Sequence, residues 1–372
     1  MKVLVSATSL HASYGGPAFS VSRLASALSE AGAEVALWAA DGSAALSPLP
    51  RPSAGLRLHD GSLRRLIETF RPDVLHDNGL WLAHNHRLAR MGRALGLPRV
   101  VSTRGMLEPW ARSHRRWKKW AAWRLYQKGD LDWAAALHAT SSAEAGNLKG
   151  LGLRPAVVTI ANGMDLPEPT RSPRPRTGER TALFLGRIHP VKGLPVLMEA
   201  WGRVRPEGWR LIVAGPDEGG HRKEVEAAVR AAGIGEAVSF VGAVMDEAKA
   251  ALFGEADLLI LPSHTESFGM AVAEALAHGV PALVSTAAPW PMLERQGCGW
   301  LAAPTAAALA DALSRAVATE PETLKRMGEA GRALIAAEFG WPRVASQFLA
   351  LYDSVVGKAA SEVASLDRPV SK

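Results

Sequence analysis

Residues 258–277 read LLILPSHTESFGMAVAEALA and contain the pattern that decides the fold. The run Leu258–Leu261 is short, continuous and apolar, which indicates a buried strand. Gly269 suits a turn that enters a helix, and Met270–Ala277 is predicted to form that helix. A buried strand followed by a helix is the repeating unit of a parallel sheet, and the free amides at a helix start form an anion site. We therefore expect phosphate binding at this edge of a sheet.

The same alternation of strand and helix runs through all 372 residues and predicts an α/β fold of two doubly wound domains. The predicted strands are Lys2–Ala7, Glu34–Ala39, Asp73–His76, Arg99–Ser102, Ala136–Ala139, Ala156–Ile160, Thr181–Leu185, Arg210–Ala214, Val238–Val241, Leu258–Leu261 and Ala282–Ser285. Prolines and charges in residues 166–180 predict a linker between domains at residues 1–165 and 181–340. A helix is predicted from residue 341, with a polar tail after Val356.

Composition narrows the class of protein. Hydrophobic residues make up 48% and charged residues 21%, which is typical of a folded globular chain. The net charge of +7 suits nucleic acid, anionic lipid or phosphorylated ligands, and the lack of a nucleic-acid motif favours the last two. The single cysteine, Cys298, excludes an internal disulfide framework and a cysteine-rich metal site. Because no apolar run reaches about 18 residues, we expect a cytoplasmic protein whose membrane contact is at most peripheral.

Two cations follow the first predicted strand of the second domain, in the segment LGRIHPVKG at residues 185–193. An arginine can grip phosphate through two N–H groups, and a lysine adds a point charge. Arg187 and Lys192 could therefore hold a diphosphate and stabilise the charge it gains as a leaving group. The alternative is that both are solvated loop cations.

Two acids flank the predicted helix start at Gly269. Glu266 can accept hydrogen bonds from sugar hydroxyls, and Glu274 can accept them from a ribose diol. A helix between them would place them about 12 Å apart, which suits the two ends of a nucleotide-sugar. The alternative is a helix-start charge and a surface residue, but the apolar neighbours of Glu274 would make burial costly without a partner.

At this point the sequence resembles a known family. Glu266 and Glu274, with Ser267-Phe268-Gly269 between them, resemble the signature of the family-4 retaining glycosyltransferases. Three further motifs match the family in the expected order: Gly15-Gly16, Asn162-Gly163-Met164-Asp165, and Gly186-Arg187 with Lys192-Gly193. The resemblance covers nearly the whole chain and implies the GT-B fold, in which two Rossmann-like domains face each other across a cleft. It also implies that the last helix crosses back to the first domain.

The resemblance assigns roles to individual residues. Arg187, Lys192 and Glu266 are the implied catalytic group, with the two cations on the donor diphosphate and the acid on the transferred sugar. The implied donor-binding residues are Gly15, Gly16, Ser267, Phe268, Gly269, Met270 and Glu274. No metal and no cofactor are expected, since the cations replace a metal and the nucleotide-sugar is a substrate.

The first domain departs from the family pattern. Many members carry a histidine near the glycine of the segment VSTRGMLEPW at residues 101–110, and this chain has Arg104 there. Arg104 is a candidate cleft residue that would contact donor phosphate or an anionic acceptor, or alternatively pair with Glu108. His76 ends a predicted strand and is a second candidate cleft residue, with a structural role as the alternative.

Residues Trp110–Lys128 read WARSHRRWKKWAAWRLYQK and mix tryptophans with cations. The tryptophans at 117, 120 and 123 recur every third residue, which places them on neighbouring parts of one helical face. Such a mixture favours an anionic membrane surface. The alternative is an amphipathic helix whose tryptophans pack on the sheet.

The expected function is sugar transfer, with retention, from a UDP- or GDP-sugar to an acceptor hydroxyl. The expected acceptor is a lipid-linked or surface-polysaccharide intermediate. Two alternatives stay open: a nucleotide-sugar epimerase on the same fold, and a non-catalytic protein that binds sugar nucleotides.

Overall fold

The computed structural model describes residues 1–11, 14, 16–47, 55–113, 116–167 and 178–366. The chain divides into two compact units. Unit 1 contains Met1–Gly163 together with Trp341–Lys372, and unit 2 contains Met164–Gly340. Each unit has its own parallel sheet with helices, so the predicted doubly wound α/β class is confirmed.

Unit 1 has a seven-stranded sheet in the order β3-β2-β1-β4-β5-β6-β7. Its strands are β1 (Lys2–Ala7), β2 (Glu34–Ala39), β3 (Leu56–His59), β4 (Val74–Asn78), β5 (Arg99–Ser102), β6 (Ala136–Ala139) and β7 (Ala156–Thr159). Strand order reverses direction at β1, which lies between β2 and β4, and ligands in such sheets bind beyond the carboxyl ends of the strands.

The helices of unit 1 lie between these strands and after them. They are α1 (Gly16–Glu30), α2 (Leu63–Phe70), α3 (Ala83–Ala94), α4 (Pro109–Ser113), α5 (Arg116–Ala122), a π-helical turn (Trp123–Gln127), α6 (Lys128–Asp132) and α7 (Ser142–Lys149). The C-terminal helix Trp341–Leu366, α14 in chain order, also belongs to unit 1. It contributes Trp341, Phe348 and Tyr352 to a core shared with β1 and α1, and it continues beyond Val356 as a helix.

Unit 2 has a six-stranded sheet in the order β10-β9-β8-β11-β12-β13. Its strands are β8 (Arg180–Leu185), β9 (Trp209–Ala214), β10 (Val238–Gly242), β11 (Leu258–Leu261), β12 (Ala282–Ser285) and β13 (Gly299–Ala302). Its helices are α8 (Leu194–Val204), α9 (Arg222–Ala232), α10 (Asp246–Glu255), α11 (Met270–Ala277), α12 (Ala306–Val317) and α13 (Pro321–Glu338), with short 3-10 turns at Pro190–Lys192 and Gly235–Ala237. Because β8 and β11 are neighbours, the loops that follow them meet at one edge of this sheet.

Every predicted strand is present, with ends shifted by a residue or two. The two strands that the sequence did not predict, β3 and β13, each lie at an edge of their sheet. Within the described residues, no helix is long and apolar enough to span a bilayer.

Candidate functional site

The candidate site of unit 2 lies at the carboxyl ends of β8 and β11. The two loops after these strands are joined by a hydrogen bond from the His264 amide to the Val191 carbonyl, 2.8 Å long. Gly193 has a φ of 67°, and a Cβ there would lie 2.3 Å from the Pro262 carbonyl oxygen. Glycine is therefore required for this close approach, which carries the neighbouring Lys192 to the loop of Glu266.

Lys192 and Glu266 form the central pair of the site. The Lys192 ammonium lies 2.5 Å from Glu266 Oε1, and the side chains are only 16% and 10% exposed. Ser263 donates a 2.8 Å hydrogen bond to the same carboxylate oxygen. Removing either charge would leave the other largely buried and without its counter-ion, so the pair is held in place electrostatically.

The start of α11 supplies the predicted anion site. Gly269 precedes the helix with a left-handed φ of 83° and has no side chain to cap it. Trp290 donates from Nε1 to the Phe268 carbonyl at 2.6 Å and packs on the Phe268 ring at 5.4 Å between centroids. These contacts fix the turn so that Met270, the first helical residue, presents the uncapped helix end.

Glu274 lies on α11 as predicted and forms an ion pair across to the preceding helix. Its Oε1 is 3.0 Å from the ammonium of Lys249 on α10. The carboxylate is half-buried, and Lys249 provides the partner that its apolar surroundings require. His278 hydrogen-bonds through Nδ1 to the Glu274 carbonyl and stacks on Phe253.

Arg187 lies on the loop after β8, and 57% of its side chain is exposed. It pairs with Glu218, which follows β9, at 2.5 Å. Burial lowers the pKa of His189, Glu218 raises it, and the charges of Arg187 and Lys192 lower it further. Both cations therefore act on the same imidazole, and their positive potential overlaps at this edge.

Three partners in unit 2 were not predicted: Ser263, Glu218 and Lys249. The sequence could have indicated Glu218 as a site residue, because it lies in a glycine-containing loop after a strand, as Arg187 does. Nothing in the sequence could have indicated Lys249, because it lies on a separate helix and its local pattern is that of any surface lysine.

A cavity of unit 2 lies away from this site. A groove of about 500 Å³ is lined by Trp201, Arg205, Pro206 and residues 233–237. These residues precede β9 and β10, so the groove lies at the amino edge of the sheet, opposite the edge that holds Lys192 and Glu266.

In unit 1, Gly15 lies outside the described residues, and Gly16 is the first residue of α1. Arg104 lies directly after β5 and is largely buried. It donates to Asn78 Oδ1 from Nε at 3.0 Å and from Nη2 at 2.7 Å, and to Ser20 Oγ from Nη1 at 2.8 Å. The alternative pairing with Glu108 is wrong, because that carboxylate accepts a hydrogen bond from Asn147 instead.

His76 is fully buried within unit 1. The Ile160 carbonyl can only accept, so His138 donates to it from Nε2 at 2.7 Å and accepts at Nδ1 from Ser102 at 2.6 Å. Ser102 in turn accepts from His76 Nε2 at 2.7 Å, and His76 Nδ1 accepts from the Tyr352 hydroxyl at 2.6 Å. This continuous chain of buried groups gives His76 the structural role that was the alternative to a place in the cleft.

The Trp110–Lys128 segment exposes part of its aromatic face. Trp117 is 72% exposed, Trp120 is 62% exposed and Leu125 is 82% exposed. The ammonium of Lys118 lies 5.3 Å from the Trp117 ring, and the guanidinium of Arg124 lies at the same distance from the Trp120 ring. The alternative in which these tryptophans pack on the sheet is wrong for both.

Comparisons with known proteins place the chain in a family. Residues 168–334 match the family described as "Glycosyl transferases group 1", and residues 15–163 match the family described as "Glycosyl transferase 4-like domain". A glycogen synthase of Mycobacterium tuberculosis is 30% identical over 312 residues, which cover 80% of this chain and 72% of the relative.

A second relative and a solved structure agree with this assignment. The GDP-mannose:cellobiosyl-diphosphopolyprenol alpha-mannosyltransferase of Komagataeibacter xylinus is 32% identical over 55% of this chain, which spans about half (53%) of that protein. The structure of Anabaena Alr3699/HepE in complex with UDP-glucose has a TM-score of 0.72 at 20% identity, over 95% of this chain and 100% of that one. From its sheets, its motifs and these relatives, the chain belongs to the family-4 glycosyltransferases of the GT-B fold.

Proposed function

We propose that this glycosyltransferase moves a sugar from a UDP- or GDP-sugar to an acceptor hydroxyl, with retention of the anomeric configuration and without a metal ion. The observation that carries the proposal is the pairing of Lys192 with Glu266 beside the uncapped start of α11. A cation and free amides suit a diphosphate, and an acid at the same place suits sugar hydroxyls.

The chemistry is charge stabilisation at a leaving group. The bond between the anomeric carbon and the diphosphate oxygen breaks, and the acceptor oxygen forms the new bond to that carbon. Lys192, Arg187 and the α11 amides stabilise the negative charge that develops on the diphosphate, which is the role that a metal ion would otherwise have. The acceptor proton passes to the departing phosphate, so no side chain is needed as a covalent nucleophile.

Glu274 binds the other end of the donor in this proposal. A ribose has two neighbouring hydroxyls that can donate to the two oxygens of one carboxylate. The ion pair with Lys249 orients that carboxylate within its apolar surroundings.

For the acceptor, we propose a lipid-linked glycan at an anionic membrane surface. The relative from Komagataeibacter xylinus acts, by its name, on a diphosphopolyprenol-linked sugar. Exposed Trp117, Trp120 and Leu125 beside Lys118 and Arg124 combine apolar area with positive charge, as interfacial surfaces do.

The experiment that tests the donor assignment is a thermal-shift series with UDP, GDP, ADP and their glucose and mannose conjugates. A ligand that binds only the folded state raises the melting temperature by mass action. The nucleotides of one base should therefore raise the melting temperature more than the others. Glu274→Ala should remove most of that shift, while Lys223→Ala, a change to an exposed lysine on α9, should leave it intact. No shift with any nucleotide or conjugate would refute the proposal.

A further inference from the structure

Arg104 has an unusual backbone conformation for its position. Its φ is 47°, in the left-handed region that residues other than glycine rarely adopt. Arg71 and Arg205 share this conformation, but each ends a helix, where it is common. Arg104 instead lies in the loop after β5, as Trp81, with a φ of 76°, lies in the loop after β4. The surroundings must hold this unfavourable conformation, a situation that concentrates at functional positions.

Glu144 holds this conformation. Its Oε1 accepts from the Thr103 hydroxyl and from the Gly105 amide, both at 2.6 Å. Its Oε2 accepts from the amide and the hydroxyl of Thr140, both at 2.8 Å. One oxygen of the buried carboxylate thus bonds to the residues on both sides of Arg104, and the other bonds to Thr140.

The guanidinium of Arg104 has no counter-ion among the residues that the structure describes. Its hydrogen-bond partners, Asn78 and Ser20, are neutral, and among the described residues it forms no ion pair. Burial lowers its pKa to about 10, against an opposing effect of Glu144, so it remains a cation at neutral pH. These three bonds leave one N–H on each of Nη1 and Nη2, the number that a bidentate carboxylate or phosphate takes.

The surroundings also favour negative charge. Ser20 lies one turn into α1, so Arg104 lies beside the start of that helix, where the helix dipole is positive. Arg104 borders a small cavity of about 10 Å³ together with Asn162 and Gly163. This volume admits about one oxygen atom, so one oxygen of an anionic ligand group would meet the guanidinium there.

We propose that Arg104 binds an anionic group of the acceptor, a phosphate or a carboxylate, and so selects acidic acceptors. The inference rests on the proposed function and adds the chemical class of acceptor. The acceptor is the better match than the donor, because unit 2 already provides Lys192, Arg187 and the α11 amides for the donor diphosphate.

The test compares ligands that differ in charge. Octyl β-glucoside, octyl β-glucuronide and an octyl-diphosphate-linked glucose provide a neutral, a carboxylate and a phosphate acceptor. Binding is measured by calorimetry without donor, and transfer is measured with the donor that the thermal-shift series identifies. We expect at least one anionic ligand to bind on the order of tenfold more tightly than the neutral one, because a charge-assisted bidentate contact is strong.

Variants then assign the preference to Arg104. Arg104→Gln should lower the ratio of anionic to neutral binding to about one. Arg104→Lys should keep part of the preference, since the charge remains and only the two-pronged guanidinium geometry is lost. Arg90→Gln, a change to an exposed arginine on α3, is the matched control. Glu144→Gln should weaken the preference as well, and its melting temperature reports any loss of folding separately.

Three outcomes would overturn the inference. The wild type could show no preference for either anionic ligand, or Arg104→Gln could keep the preference. Arg104→Gln could also weaken nucleotide-sugar binding, which would assign the anion to the donor. Failure of the proposed function looks different, because a chain that binds no nucleotide-sugar would still report the charge preference by calorimetry.

Discussion

The carboxyl edges of the two sheets use charge in different ways. In unit 2 each of the cations Lys192, Arg187 and Lys249 pairs with a carboxylate at 2.5–3.0 Å. In unit 1, Arg104 bonds to neutral partners, and beside it lies a buried chain of neutral rings and hydroxyls. Ion pairs near a surface can exchange a partner for a ligand phosphate, whereas a buried neutral chain has no spare charge to exchange. The same topology thus supports carboxylate-paired cations in one unit and, in the other, a single arginine with neutral partners beside a structural network.

The largest expected effect is on the ion pairs of unit 2. Lys192→Ala should lower the transfer rate by roughly 10²–10³-fold, because it removes a cation at the developing negative charge. The measurement is kcat with saturating donor, with Lys192→Arg as the charge-preserving control. A rate within about threefold of wild type would show that the paired edge is not the catalytic one.

The next effect is on the neutral chain of unit 1 and depends on pH. Burial lowers the pKa of His138 to about 4 and the pKa of His76 well below its ordinary value of 6.5. Below pH 6.5 the unfolded state therefore binds protons that the folded state excludes. The free energy of unfolding should be unaffected by these rings above pH 6.5. It should fall as the pH drops towards 4, by about 1.4 kcal/mol per pH unit for each ring.

Urea unfolding at pH 7.5 and pH 5 measures how the free energy of unfolding depends on pH. The glutamine of His138→Gln can still donate and accept hydrogen bonds but cannot titrate. The pH dependence of this variant should therefore be smaller by the contribution of one histidine ring. An unchanged pH dependence in that variant would mean that other groups cause the acid sensitivity.

A smaller effect concerns the exposed aromatic face. Replacing Trp117 and Trp120 together by Ala should lower binding to phosphatidylglycerol vesicles by about tenfold or more, because buried apolar area stabilises interfacial binding. Sedimentation with these vesicles and with phosphatidylcholine vesicles separates charge from apolar contact. Leu46→Ala, another exposed apolar residue of unit 1, is the control, and equal binding by all three proteins would refute membrane docking.

The smallest expected effect is that of Lys249→Ala. The loss of this half-buried partner should weaken donor binding only a few-fold, since Glu274 remains and can be solvated in its place. Titration calorimetry with the preferred nucleotide checks this. A loss as large as that of Glu274→Ala would instead indicate that Lys249 contacts the donor itself.

The sequence predicted the repeated unit better than its edges and contacts. Central strands such as β1 and β11 are buried on both faces and read as continuous apolar runs. The edge strand β3 reads LRLH and forms no such run, while β13 reads GWLA and begins with a glycine, which weakens the strand signal. Lys192 and Glu266 could be predicted because each lies near a glycine that follows a strand. The backbone conformation of such a turn requires glycine and can therefore be recognised in the local sequence.

The ion-pair partner of a side chain and its exposure cannot be recognised in the local sequence in this way. The pairing of Glu274 with Lys249 joins two helices, and nothing in the local pattern of either helix indicates it. Helical spacing placed Trp117 and Trp120 on one face but could not decide whether that face is covered, since this depends on how the short helices around the π-helical turn pack.

The position of α14 also sets an order for folding during synthesis. Unit 2 is one continuous stretch of chain, so all its strands and helices leave the ribosome together. Unit 1 receives Trp341, Phe348 and Tyr352 for its core only after unit 2 has been translated. Unit 1 is therefore the first to be started and the second to be completed. Until α14 has been made, the hydrophobic surface over β1 and α1 that it covers is exposed.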